Sequence, residues 1–151
     1  MTMAYTKVWV HLVWSTKKRE PLLTKEVRQI LFAHIRENAK TKNIYIDFIN
    51  GHIDHVHCLI SLKPDQSIAQ VVQLIKGESA FWINKQGITS KKLTWQSEYF
   101  AVSVSESGLS SVREYIKNQE IHHAKKSFTE EYEEFLEKFG FDKFKDSEKE
   151  I

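Results

Sequence analysis

The chain has 151 residues, 41% of them hydrophobic and 28% charged, the composition of an ordinary globular domain long enough to bury one core. A single cysteine, Cys58, excludes an internal disulfide and any cysteine-based zinc site, and with them zinc fingers and zinc deaminases. The longest apolar run, Val8 to Trp14, is broken by His11 and falls far short of the roughly 20 residues that span a bilayer. The N-terminus lacks the pattern of a secretory signal, so a cytoplasmic address without membrane contact is expected.

The net charge of +2 hides an uneven distribution. Nine acidic and four basic residues lie from Phe128 onward, which leaves 18 basic and 11 acidic in residues 1–127, a net +7. The body is basic and the tail acidic. Basic clusters at Lys17-Lys18-Arg19, Lys91-Lys92 and Lys125-Lys126 are interleaved with aromatics, a pattern that suits a phosphate backbone with stacked bases and equally a solvated lysine surface.

In chain order, Tyr5 to Trp14 reads as a strand with Val8, Val10 and Leu12 on one face and Lys7, Trp9 and His11 on the other. Thr24 can cap a helix running to about Lys42, with Val27, Ile30, Leu31, His34 and Ile35 at helical spacing. Strands follow at Asn43 to Asn50 and Ile53 to Leu62, joined by a turn around Asn50-Gly51. Ser67 to about Lys85 forms a second helix with Ile68, Val71, Val72 and Ile75 inward. A loop spans 86–98, and Tyr99 to Val104 is a fourth strand. Ser111 and Glu114 match a capping box that opens a third helix through about Lys126. A short acidic helix over 128–140 places Phe128, Tyr132, Phe135 and Phe139 at helical spacing, and the last ten residues are expected to fray.

This order predicts an α+β fold of the ferredoxin-like, RRM-like βαββαβ type, an antiparallel sheet with two helices on one face, plus C-terminal helices. The other face is left open for binding or chemistry. The expected organisation is a domain over 1–127 and an acidic helix and tail over 128–151.

Two constellations carry chemistry. In Asp54-His55-Val56-His57-Cys58-Leu59-Ile60, strand alternation sets Val56, Cys58 and Ile60 against the helices and projects His55 and His57 together from the opposite face. Two neutral imidazoles side by side make half of a divalent-metal site, although an isolated pair of this kind also occurs as plain surface histidines. Downstream, Tyr115 and Gln119 stand one helical turn apart, next to an apolar stripe of Val112 and Ile116 that can dock the helix on the sheet. Taken alone, Tyr115 reads as a half-buried core tyrosine.

Taken together, these residues resemble the single-tyrosine HUH transposases, the small insertion-sequence and REP-associated tyrosine transposases. The similarity also covers His11-Leu12-Val13-Trp14 with Lys17-Lys18-Arg19, Lys76-Gly77-Glu78-Ser79, and Trp95-Gln96 leading into Ala101-Val102-Ser103-Val104, and it runs from about residue 5 to residue 123. The resemblance implies that Tyr115 is the nucleophile and that His55, His57 and Gln119 are metal ligands, with His122 as a rival third ligand. It implies Mg2+ or Mn2+, the two nitrogen ligands leaning toward manganese. It also implies a single-stranded DNA partner with hairpin or palindromic ends, cleaved and rejoined through a 5′-phosphotyrosine. Relatives are homodimers in which the tyrosine helix of one subunit can complete the other's site.

Lys17, Lys18, Arg19, Lys76, Lys91, Lys92 and Trp95 are candidate DNA contacts, and Trp82 and Tyr99 are either base-stacking or core. His11 is a candidate base or a structural neighbour of the site. Glu78 departs from the family, where a basic residue is common, and the acidic segment after Phe128 has no counterpart in the pattern. Two other readings use the same residues. One is a non-catalytic sheet that binds single-stranded nucleic acid; the other is a domesticated enzyme that processes palindromic chromosomal repeats.

Overall fold

Residues 8–15 and 55–62 pair antiparallel along their whole length, Val8 opposite Leu62 and Ser15 opposite His55, and this ladder is the centre of the molecule. The computed structural model describes residues 3–141. The order is β1 (Val8–Ser15), α1 (Lys25–Thr41), β2 (Tyr45–Gly51), β3 (His55–Leu62), α2 (Ile68–Gln86), β4 (Phe100–Val104), α3 (Leu109–Lys117), α4 (Gln119–His123) and α5 (Phe128–Lys138). The sheet runs β2-β3-β1-β4 with every neighbouring pair antiparallel. Because β3 lies between β1 and β2, the connection through α1 is a split βαβ unit, as the element order predicts.

The pleat sends Val10, Leu12 and Trp14 of β1 and Val56, Cys58 and Ile60 of β3 to one side. There they meet Val27, Leu31 and Ile35 of α1 and Val71, Val72 and Ile75 of α2, all buried. Burial lifts the Cys58 thiol to about 12, so it is an inert core group. Both helices begin where expected. Thr24 accepts from the Val27 amide, and Ser67 and Gln70 form a reciprocal capping box.

Three expectations are corrected. The turn between β2 and β3 lies at residues 52–54, and Gly51 is the last residue of β2. A β-carbon there would lie 2.2 Å from the His55 carbonyl oxygen, so only glycine allows the strands to approach this closely. The third helix starts at Leu109 behind Gly108, with no side-chain cap from Ser111; Ser105 instead accepts from the Gly108 amide in the preceding 3-10 turn. That helix also stops at Lys117, because Asn118 leaves helical geometry (φ −96°, ψ 31°), and a separate short helix begins at Gln119.

The second face of the sheet is the third correction. It is not left open, because α3 lies on it with Leu109 and Ile116 buried against Leu59, surrounded by Trp9, Phe48, Val104 and Val112.

The chain divides into two compact units, one ending at Gln119 and one starting at Glu120. In the second unit, Ser127 caps α5, and Phe128 packs against Tyr132 as Phe135 does against Phe139. Among the described residues, no helix is long and apolar enough to cross a membrane.

Ile60 is 1% exposed at the centre of this packing, and truncating it leaves a cavity that rigid neighbours cannot fill. Ile60→Ala is therefore expected to cost about 2–5 kcal/mol of stability, read as a lowered midpoint in urea unfolding at unchanged slope.

Candidate active site

The same pleat that buries Val56 and Cys58 turns His55 and His57 toward α3. One ring nitrogen of each lies within 4.8 Å of the other, and the two rings meet edge to face with centroids 5.1 Å apart. Both side chains are fully buried, which isolated surface histidines would not be.

Each histidine has a partner that sets its orientation. The Asp54 carboxylate accepts from His55 Nδ1 at 2.8 Å, which puts the proton on Nδ1 and turns the Nε2 lone pair outward. His57 Nδ1 lies 2.9 Å from His11 Nε2, with the rings stacked 5.1 Å apart. Burial holds the His11 imidazole down at about 4, so it is neutral at neutral pH and its Nε2 can accept a hydrogen bond from His57 Nδ1.

Gln119 closes the arrangement. Its Nε2 donates to the Tyr115 carbonyl at 3.1 Å, which fixes the amide so that Oε1 faces His55 Nε2 at 3.1 Å. His55 Nε2 and Gln119 Oε1 therefore face each other, and the donor set of two imidazoles and a carboxamide oxygen fits a divalent ion.

The break at Asn118 thus leaves Tyr115 and Gln119 connected by a side-chain bond in place of a continuous helix. The Tyr115 ring, half-buried, lies with its centroid 5.5 Å from that of His57 and 6.3 Å from that of His11. The structure therefore gathers His55, His57, Tyr115 and Gln119 around one point, with His11 beside them. His122 belongs to the second unit, where its Nε2 lies 2.9 Å from Glu131.

The candidate DNA contacts separate by environment. Lys17, Lys18 and Arg19 are exposed on a turn directly after β1, at the same end of the sheet as His55. Lys18 and Arg19 both take left-handed backbone angles (φ 57° and 52°), a conformation that neighbouring structure must hold in place. Buried Thr16 does so, its hydroxyl donating to the Glu20 carbonyl at 2.8 Å and its amide to the Asp54 carbonyl at 2.8 Å.

Lys91 is exposed and pairs with Glu20 at 3.0 Å, while exposed Lys92 lines an open surface pocket of about 600 Å³ with Phe81 and Lys85. Lys76 is half-buried, with its ammonium donating to the carbonyls of Gln96, Ser97 and Glu98. Trp95 is buried, its indole nitrogen donating to Ser79 Oγ at 3.1 Å. Trp82 stacks on His34, whose Nε2 contacts the Glu78 carboxylate at 2.6 Å, so Glu78 serves a packed polar cluster. Tyr99 is 38% exposed.

Sequence reading missed the roles of Asp54 and of Asn50, whose Nδ2 donates to the Ile116 carbonyl at 2.9 Å and the Lys117 carbonyl at 3.1 Å at the end of α3. Asp54 stands next to His55 in the chain, and a carboxylate adjacent to a candidate ligand is a signal that could have been read. Asn50 carries no such signal.

The resemblance to tyrosine transposases implies an antiparallel sheet with helices, and the comparisons agree on that fold and on the family. The family model for IS200-like transposases matches residues 4–119, the extent of the first compact unit, and the chain belongs to this family of DNA-cleaving and strand-transferring enzymes. It is 30% identical over 115 residues to the ISDra2 transposase TnpA of Deinococcus radiodurans, covering 72% of this chain and 81% of that one. The crystal structure of a protein described as a D. radiodurans transposase superposes with a TM-score of 0.61 at 28% identity, over 79% of this chain and 98% of that one. A REP-associated tyrosine transposase bound to a REP hairpin shares the fold, with a TM-score of 0.60 at 19% identity over 82% and 73% of the two chains.

The three carbonyls around Lys76 give its ammonium a structural task. Lys76→Met is expected to lower stability by about 1 kcal/mol or more in thermal unfolding, since it strands carbonyls that a charged donor now satisfies.

Proposed function

We propose that this chain is a metal-dependent transposase that cleaves and rejoins single-stranded DNA through a 5′-phosphotyrosine on Tyr115. The observation that carries the reading is the position of Gln119, bonded to the Tyr115 carbonyl on one side and facing His55 on the other.

In this reading His55, His57 and Gln119 hold Mg2+ or Mn2+. When bound, the ion supplies Lewis acidity and a template at the scissile phosphate. Asp54 and His11 orient the two imidazoles and fix which nitrogen carries each proton. The Tyr115 phenol oxygen attacks phosphorus, the phosphorus–3′-oxygen bond breaks, and the 3′-oxygen leaves as a hydroxyl once it has taken up a proton. The phenol gives up its own proton, against an ordinary pKa near ~10. The phosphotyrosyl ester conserves the energy of the broken linkage, so attack by a 3′-hydroxyl regenerates the DNA and the tyrosine without ATP.

Lys17, Lys18 and Arg19, presented at the histidine end of the sheet, are the basic residues best placed to hold the backbone near the site. The hairpin bound by the REP-associated relative supports hairpin-ended DNA as substrate, and a homodimer is proposed from the family resemblance. A passive strand-binding sheet would need its aromatic face exposed. Here α3 lies on that face.

Wild-type protein incubated with Mn2+ and labelled single strands from the DNA flanking its gene is expected to form a covalent adduct stable to denaturing electrophoresis. Tyr115→Phe should form none; an adduct persisting in this variant overturns the assignment. Asp54→Ala should weaken Mn2+ binding by roughly 10–100-fold in calorimetric titration, because the His55 ring loses its orienting acceptor. Unchanged affinity would show that His55 is not a ligand.

A further inference from the structure

We infer that Thr16 is a positioning residue: it fixes the basic turn Lys17–Arg19 in register with His55, so that a DNA backbone held by the turn presents a phosphate to the metal site. The inference rests on the reading of His55 as a metal ligand and of the turn as a DNA contact. It adds what fixes the one relative to the other.

A fully buried threonine must have its hydroxyl and backbone groups satisfied inside the fold. Those of Thr16 divide between two neighbours. Toward the turn, the hydroxyl donates to the Glu20 carbonyl at 2.8 Å, and the Thr16 carbonyl accepts from the Arg19 amide at 3.0 Å. Toward β3, the Thr16 amide donates to the Asp54 carbonyl at 2.8 Å, and the hydroxyl lies 3.3 Å from the same oxygen. Asp54 carries the link onward, because its carboxylate accepts from His55 Nδ1 at 2.8 Å. It meets the turn through its backbone and the histidine through its side chain. All of these residues belong to the first compact unit.

The turn needs such an anchor. Lys18 and Arg19 stand in succession at φ 57° and 52°, where the β-carbon crowds the backbone, so an untethered chain would leave this conformation. Residues 94–96 brace the turn from the other side. The Lys17 amide donates to the Thr94 carbonyl at 2.8 Å, the Gln96 amide to the Ser15 carbonyl at 2.9 Å, and Thr16 forms an antiparallel bridge with Trp95. The exposed ion pair of Lys91 with Glu20 contributes little, since water and salt screen it. The turn thus projects three cations from a backbone set at both ends. Attraction of lysine and arginine to phosphate is tolerant of position, so grip and register are separable. The cations supply the grip and Thr16 the register.

Thr16→Val keeps the side-chain shape and removes the donor, whereas Thr16→Ser keeps the donor. In the full chain, Thr16→Val is expected to slow adduct formation at saturating strand and Mn2+ on the order of 10²-fold, the effect of a misplaced reacting group. Strand affinity and its salt dependence should stay near wild type, because the same phosphates are neutralised. Mn2+ affinity should be retained, because Asp54 still faces His55. Thr16→Ser should recover most of the rate. A threonine that only stabilised the fold would lower the unfolding midpoint and leave the rate of the folded enzyme unchanged.

A wild-type rate in Thr16→Val overturns the inference, as does a serine variant as slow as the valine one, or a loss of rate that more strand restores. Should wild type form no adduct at all, the transposase reading fails. Hydrogen exchange then still judges whether Thr16 holds the turn: the Arg19 and Glu20 amides are expected to exchange faster in Thr16→Val, and wild-type exchange there overturns the anchor.

Discussion

The site depends on the position of β3 between two antiparallel neighbours. A strand held on both edges cannot slip by one residue without turning its whole apolar set away from the core. Val56, Cys58 and Ile60 are committed to α1 and α2, and that commitment forces His55 and His57 to the opposite face as a fixed pair. The hydrophobic energy of one face thus determines the geometry of the other. No separate device is needed to place the two rings side by side.

What surrounds the pair is polar and closely partnered. Asp54 and His11 each engage one histidine, and Gln119 ties His55 to the backbone of Tyr115. Buried polar groups of this kind are costly when unpartnered, so the network discriminates strongly between one arrangement and its neighbours. Position is set by several weak bonds whose geometries agree, while the apolar docking of α3 contributes the adhesion.

Cationic residues on one basic body have unlike tasks. Lys76 points its charge into backbone carbonyls, whereas Lys17, Lys18 and Arg19 stand exposed on a turn with unusual backbone angles anchored by Thr16. Counting lysines cannot separate these cases, because the difference lies in whether a carbonyl or water surrounds the ammonium. Trp95 makes the same point for aromatics, since its ring is buried and its nitrogen satisfied by Ser79.

Short-range patterning was enough to read the strand and helix order, the caps at Thr24 and Ser67, and the shared face of His55 and His57, because each follows from side-chain period or a local hydrogen bond. It was not enough for the bulge in β2 between Ile46 and Phe48, although the shift from Ile46 to Ile49 on the core side records it, nor for the end of α3 at Asn118, where periodicity alone suggested one helix to Lys126. The partners Thr16 and Asp54 are 38 residues apart in the chain, and Asn50 and Ile116 are 66 apart. Contacts at that separation leave no periodic trace. Only the packed sheet, by setting the end of β1 against the start of β3, decides that a threonine joins the basic turn to the residue that orients His55.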